Sequence, residues 1–274
     1  MINRVLAIAA TELLIAVRNR WVLIATLMML VFSLALTFAG SAPTGALGVD
    51  MLTVSVASMT TLSVYLLPLI ALMMSFDAIA GETERGGLAL LLSYPVSRAE
   101  ILVGKFLAHV CALTFATLIG FGASGLIAAF SGGADNASLV ALMRLILTSI
   151  LLGSVFLALG YALSSLTGSA SGAAGFGAAL WLVLVVLFDL GLLGAVVMDN
   201  GGVFTQKVFP WIMVANPADA FRLWNISATE NLALATGMTG AADGLPIWAA
   251  PVSLLIWPIL ALLTARASFA RVEP

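Results

Sequence analysis

Cysteine and histidine are almost missing from this 274-residue chain, which carries one of each, Cys111 and His109. A single cysteine excludes an intrachain disulfide and any paired-cysteine zinc or redox motif. A single histidine excludes a histidine cage for a metal within one chain. Charge is also scarce: Asp, Glu, Lys and Arg are 9% of residues, with a net charge of −2. There is no basic stripe, so nucleic acid is not expected as a partner. A glycine-rich phosphate loop is lacking. The only Gly-Lys pair, Gly104-Lys105, is followed by Phe106 and has Ala99 where the loop's first glycine should stand. The chain therefore cannot build an ATP cradle of its own. No H-E-x-x-H is present, and a Ser/His/Asp arrangement would have to recruit the lone His109 from within an apolar run. The expectation is a chain that is not an enzyme, with no catalytic residues, no metal site and no cofactor bound by itself.

What the chain has in excess is apolar surface. Hydrophobic residues are 62% of the sequence and mean hydropathy is +1.16. Soluble domains are about 45–50% apolar, so the bilayer must solvate most of this protein. Six runs are long enough to cross the hydrocarbon core: Trp21–Gly40, Val54–Phe76, Ile101–Phe130, Leu139–Leu166, Ala173–Met198 and Trp248–Arg266. With no water to satisfy backbone groups in lipid, all six must be helices. The first run exceeds the usual length of a signal-peptide core and follows a patterned N-terminal stretch, so it reads as a retained span. One transmembrane domain, 1–274, is expected. The positive-inside rule orients it. With the N-terminus in the cytoplasm, Arg4, Arg18, Arg20, Arg85, Arg98, Lys105, Arg266 and Arg271 are inside, against Arg144, Lys207 and Arg222 outside. Both termini are then cytoplasmic.

Residues 1–20 carry Asn3/Arg4, Thr11/Glu12 and Arg18/Asn19 at seven-residue intervals, which places them on one helix face. This predicts an interfacial helix, with a plain extension of the first span as the alternative. The longest outer segment, 199–247, contains Asn216-Pro217 ahead of Ala218-Asp219-Ala220-Phe221-Arg222-Leu223-Trp224, a helix-start signal. It reads as a short amphipathic helix lying on the membrane or against an outer partner through Asn216, Pro217, Asp219, Phe221, Arg222 and Trp224. Trp211, Trp224 and Trp248 otherwise serve as interface anchors.

Asp189 lies deep in the fifth run. A carboxylate there costs on the order of 3 kcal/mol, so it must face a cavity or a partner, be protonated, or pair with Arg144 or a backbone group. Asp77 is a second intramembrane polar candidate at the end of the second run. Gly168 and Gly172 form a small-residue surface that fits either a dimer contact or a tight turn with internal packing. Eleven methionines include Met28-Met29 and Met73-Met74, but adjacent helical residues diverge by about 100°, so such pairs chelate poorly. A copper contact by methionine, His109 or Cys111 stays open.

The densest polar segment is the loop 77–100 and the start of the third run: D-A-I-A-G-E-T-E-R-G-G-L-A-L-L-L-S-Y-P-V-S-R-A-E-I-L-V-G-K, Asp77 to Lys105. A short apolar run inside a charged loop reads as a helix docked into a partner. Glu82, Glu84, Arg85, Gly86, Leu88, Leu91, Leu92, Pro95 and Arg98 are the candidate contacts, and Pro95 should end the helix.

These residues, with Ser93, Val96, Ser97, Ile101, Gly104 and Lys105, resemble the first cytoplasmic loop of the ABC-2 type permeases, although Gly87 stands where that pattern usually has Thr. Further stretches are similar to the permeases that serve nitrous oxide reductase maturation: Arg18-Asn19-Arg20-Trp21, Leu67–Leu72, Phe76–Ile79, Leu118–Gly122, Leu187–Leu190, and Asn216–Asp219 with Arg222-Leu223. The resemblance implies an all-α fold, six transmembrane helices with an N-terminal interfacial helix, of the type V exporter-like kind. It implies a homodimer with cytoplasmic ATPase subunits, which hold ATP and magnesium, and a periplasmic maturation protein that assembles a copper–sulfur centre. An exporter of lipid, glycan or drug is the alternative within the family.

Overall fold

The computed structural model describes residues 2–18, 20–40, 50–200, 202–226 and 245–272. Among these residues every regular element is helical, and six helical stretches are long and apolar enough to cross a membrane. Helix α1 (Ile2–Arg18) precedes the first span, α2 (Arg20–Gly40). Then come α3 (Met51–Ser75), two short helices α4 (Ala80–Glu84) and α5 (Gly87–Ser93), and the long third and fourth spans, α6 (Arg98–Gly132) and α7 (Asn136–Leu166). The fifth span is α8 (Ala170–Trp181), a π turn (Leu182–Leu187) and α9 (Phe188–Asp199). Two short helices, α10 (Phe209–Ala215) and α11 (Pro217–Ile226), precede the sixth span, α12 (Ala249–Phe269).

The helix starts follow local chemistry. Ser97 caps α6 in a capping box, accepting from Glu100 N while the Glu100 carboxylate accepts from Ser97 N. Asp135 caps α7 in a second capping box with Ser138, Asp50 caps α3 by accepting from Thr53 N, and Asp50 also accepts from Asp135 N, which joins the two starts. In α3, Ser55, Thr60, Ser63 and Ser75 donate to carbonyls four residues back, so their hydroxyls are satisfied within the helix.

Close packing in the absence of a hydrophobic drive between spans relies on small residues and short polar contacts. A Cβ at Gly120 would lie 2.9 Å from Met29 Cβ, which lets α2 and α6 touch. There Ser33 Oγ contacts Ser124 Oγ at 2.6 Å and donates to Gly120 O. A core of Leu52, Met59, Leu67, Leu72, Leu113, Phe121, Leu152, Phe156 and Phe221 runs through the bundle.

One end of the bundle gathers both chain ends. Arg4 reaches Pro95 O, and Arg98 Nη1 donates to Phe269 O and Val272 O while its guanidinium lies over the Phe269 ring. This end is called the terminal face below.

Helix α1 turns one residue of its polar stripe into the protein. Glu12 on its polar stripe turns toward Lys105 rather than outward, and Ile2, Leu6, Leu14 and Ile15 are the exposed side. The buried ammonium of Lys105 offers Glu12 a partner that headgroup water cannot match. Asn19 in that stripe lies outside the described residues.

Helix α11 does not rest on the surface as expected, and α10 leads into it. Asn216 Nδ2 donates to Leu184 O, near the middle of the fifth span. Trp257 Nε1, two turns into α12, donates to Ala215 O. Asn225 and Thr148 exchange hydrogen bonds, and Thr148 is twelve residues into α7, or ~18 Å along its axis. The pair therefore enters the bundle to span depth and turns back. Residues 227–244, the rest of the expected outer segment, lie outside the described residues.

Candidate functional site

Two polar regions stand out, at the terminal face and at mid-depth. The terminal face begins where α3 ends at Ser75. The turn that follows is tied to the fourth span, because Ser164 Oγ accepts from both Ile79 N and Ala80 N. Asp77 sits in this turn, half-exposed and 3.8 Å from Arg85. It lies near the end of the second candidate span, Met51–Glu84, with Arg85 as its ion-pair partner. Helix α4 ends at Arg85 and Gly86 adopts φ +71°, the left-handed conformation that glycine reaches without strain. That reversal starts α5. Tyr94 is extended, as a residue before proline must be, and Pro95 prevents α5 from continuing.

The side chains of this loop divide in a way the sequence did not disclose. Leu88 is 2% exposed and packs with Ile79, Ile101, Leu102, Tyr161 and Phe269. Leu91 and Leu92 lean partly on the same cluster. Leu90 and Tyr94 are the outward apolar residues, 66% and 61% exposed, with Ala89 and Pro95 also exposed between and beside them. So Leu88 is a foot of the helix rather than part of its outer surface. Seven residues give too few turns for periodicity to separate the faces in advance.

The charges are similarly engaged. Lys105, buried at 4% exposure, holds Glu12 at 2.6 Å and Glu82 at 3.1 Å. Glu82 therefore faces inward. Its Oε2 lies where a Cβ on residue 87 would be, 2.2 Å away, so the absence of a side chain at Gly87 leaves room for this arrangement. Glu84 is exposed and accepts from Ala170 N at the start of the fifth span. Arg98 is occupied by the end of α12, and Arg85 is exposed. Of the expected contacts, Glu84, Arg85, Gly86 and Pro95 lie at the surface, whereas Leu88, Glu82 and Arg98 are engaged inside the chain. Nearby, His109 Nδ1 and Tyr161 OH are 2.6 Å apart, linking α6 to α7.

The mid-depth region is built from the fifth span and α11. Arg222 Nη2 donates to Asp189 Oδ2 and its Nη1 to Asp219 Oδ1, both at 3.0 Å. The partner of Asp189 is thus Arg222 and not Arg144, a pairing that required α11 to enter the bundle. Asn216 caps α11, its Oδ1 accepting from Ala218 N. Asn216, Pro217, Asp219 and Phe221 are all buried, and Trp224 packs against the core. The expectation that this helix lies on the surface is corrected: its side chains fill the bundle. Trp211 and Trp248 are exposed. The glycine surface of the fifth span is not used within the chain at Gly168 and Gly175, where an added Cβ would meet nothing within 4 Å. Among the described residues, no three His, Cys, Asp or Glu side chains gather as a metal site.

Six helical stretches long and apolar enough to cross a membrane define a multi-pass membrane protein. The chain belongs to the ABC-2 family of transporter proteins: the profile described as "ABC-2 family transporter protein" matches residues 6–273. It is similar to the probable ABC transporter permease protein NosY of Pseudomonas aeruginosa, 42% identical over 268 residues covering 96% of this chain and 97% of that protein. It is also similar to the protein of the same name from Stutzerimonas stutzeri, 41% identical over 273 residues, 98% and 99% of the two chains. This is the permease subunit of an ABC transporter, a class whose ATPase is a separate partner.

Proposed function

We propose that this permease couples ATP hydrolysis in the cytoplasm to periplasmic assembly of the copper–sulfur centre of nitrous oxide reductase. The observation that carries the coupling reading is the outward apolar pair Leu90 and Tyr94 on α5. Leu88 roots that helix beneath them, and Arg4 and Arg98 brace the turn behind it. A cleft on an ATPase subunit would grip Leu90, Tyr94, Glu84 and Arg85. ATP and magnesium belong to that subunit. The likeness over nearly the whole length to two proteins named NosY supports the maturation role.

The excess of Lys and Arg on the terminal face supports placing that face, with both termini, in the cytoplasm of a bacterial inner membrane. Closure of the ATPase would push α5, and with it the adjoining ends of the second, third and sixth spans. Helices α10 and α11, bonded to the fifth and sixth spans, would carry the movement to the outer face and to a periplasmic maturation protein. Because Asn216, Pro217, Asp219 and Phe221 are buried, that protein would feel them through the surface above rather than by contact. The fifth span exposes Phe176, Leu187, Leu190, Leu193 and Val197, which supports a second copy of the chain packed beside lipid.

The test is complementation. The corresponding permease gene is deleted in a nitrous-oxide-respiring host, this gene is supplied with its own partner subunits, and the purified reductase is assayed for its copper–sulfur centre. Restoration is expected, with loss in Leu90→Asp. A reductase lacking the centre despite normal membrane levels of the complex would overturn the maturation role and leave export of lipid, glycan or drug.

A further inference from the structure

The mid-depth cluster has more acid than base. Asp189 and Asp219 face one guanidinium, that of Arg222, whose two terminal nitrogens each serve one carboxylate. Asp219 is 1% exposed, and its second oxygen, Oδ2, has no hydrogen-bond partner and no access to water. With both acids ionised, the cluster would hold one net negative charge and a carboxylate oxygen facing no donor. That is among the most costly arrangements a protein interior can contain. A carboxylic acid in the same place is neutral and brings an O–H donor that its neighbour's oxygen can accept.

Among the described residues, no other group supplies the missing positive charge. Tyr65 on α3 is close enough to act electrostatically on Arg222, and a phenol is neutral when protonated. Arg144 on α7 makes no ion pair with either acid among the described residues. Asp199 is bound by Thr205 N at the end of the fifth span, and Lys207 lies in the turn beyond it. Asp50, Asp77, Tyr161 and Arg266 are at the ends of their spans. Helix α11 sets its N-terminal turn at Asp219, which favours a negative charge, yet no backbone N–H reaches Oδ2.

We propose that the Asp189–Asp219 pair is a proton-binding site, holding one proton between its two carboxyl groups beside Arg222 at neutral pH. The one guanidinium of Arg222 is shared by both acids, and Asp219 Oδ2 is the oxygen left without a donor. The two acids come from different elements, α9 and α11. Separation of the fifth span from α11 would open the pair to water and release the proton, so its affinity reports how closely those elements stand.

The test is infrared spectroscopy of the full-length permease with its ATPase in lipid nanodiscs at neutral pH. The expected result is a carboxylic-acid carbonyl band that shifts with aspartate labelled by 13C at its side-chain carboxyl and disappears on alkaline titration. The band should be lost in Asp219→Asn and equally in Asp189→Asn, because either variant leaves a single carboxylate paired one-to-one with Arg222. Size-exclusion profiles and ATPase activity establish that each variant is assembled. The labelling shift needs no variant, so a misfolded Asn chain leaves the proposal exposed to refutation. An absent band overturns it. A band that appears only when sodium is withdrawn also overturns it, since a metal cation would then be the ligand. Loss confined to one variant overturns the shared site, because a lone neutral acid would account for it.

Discussion

Lys105 Nζ stands 2.6 Å from Glu12 Oε1, so one ion pair fastens the N-terminal helix to the start of the third span. Glu82 meets the same ammonium from the loop side at 3.1 Å. Three elements that the chain separates by many residues therefore share one buried cation.

Removal of that cation should loosen all three. Lys105→Ala leaves two carboxylates without their partner. Breaking a fully buried pair costs about 3–5 kcal/mol, and because Glu12 and Glu82 retain some water the expected loss is about 2 kcal/mol. Thermal unfolding in detergent measures it, and Lys105→Arg should lie between the variant and the natural chain. An unchanged melting temperature would mean the ammonium contributes nothing.

The outward and rooted leucines of α5 should behave oppositely. Leu90→Asp should abolish stimulation of the ATPase by the permease while the melting temperature stays within about 1 °C, as exposed substitutions usually do. Leu88→Ala should lower stability by about 2–5 kcal/mol, the range for deleting a buried leucine. If Leu90→Asp destabilised and Leu88→Ala did not, the two faces would be reversed.

Gly86 offers a test of backbone alone. An added Cβ there meets nothing within 4 Å, so substitution brings no clash, but φ is +71°. Gly86→Ala should cost about 1–2 kcal/mol from the left-handed conformation. Gly86→Asn should recover part of this. Equal melting temperatures for glycine and alanine would show that the turn relaxes to another shape.

The spans were legible because long apolar runs leave the backbone no alternative to helix in lipid. The start of α6 lies three residues ahead of the apolar run that begins at Ile101, because the Ser97–Glu100 capping box, and not hydropathy, sets it. Entry of α10 and α11 into the bundle was not legible. Asp219 and Arg222 raise the polarity of that stretch, and hydropathy cannot register that they neutralise each other once buried. The signal available was their spacing of three residues behind an Asn-Pro start, which is one helical turn of mutual contact. The partner of Asp189 was hidden for a different reason: it lies 33 residues away on an element expected elsewhere. On α5 the outward residues Leu90 and Tyr94 went unseen because one apolar run offers several equivalent leucines.

The bonds from Asn216 to Leu184 O and from Trp257 to Ala215 O share a property: each acceptor belongs to the main chain. Positions 184 and 215 can therefore change identity without deleting either oxygen, whereas 216 and 257 carry the donors themselves. A saturation scan across these two joints should be lopsided. Diverse residues of compatible size would be accepted on the oxygen side, and few or none on the other. Sequence drift in the fifth span is thereby partly decoupled from the joint that holds it.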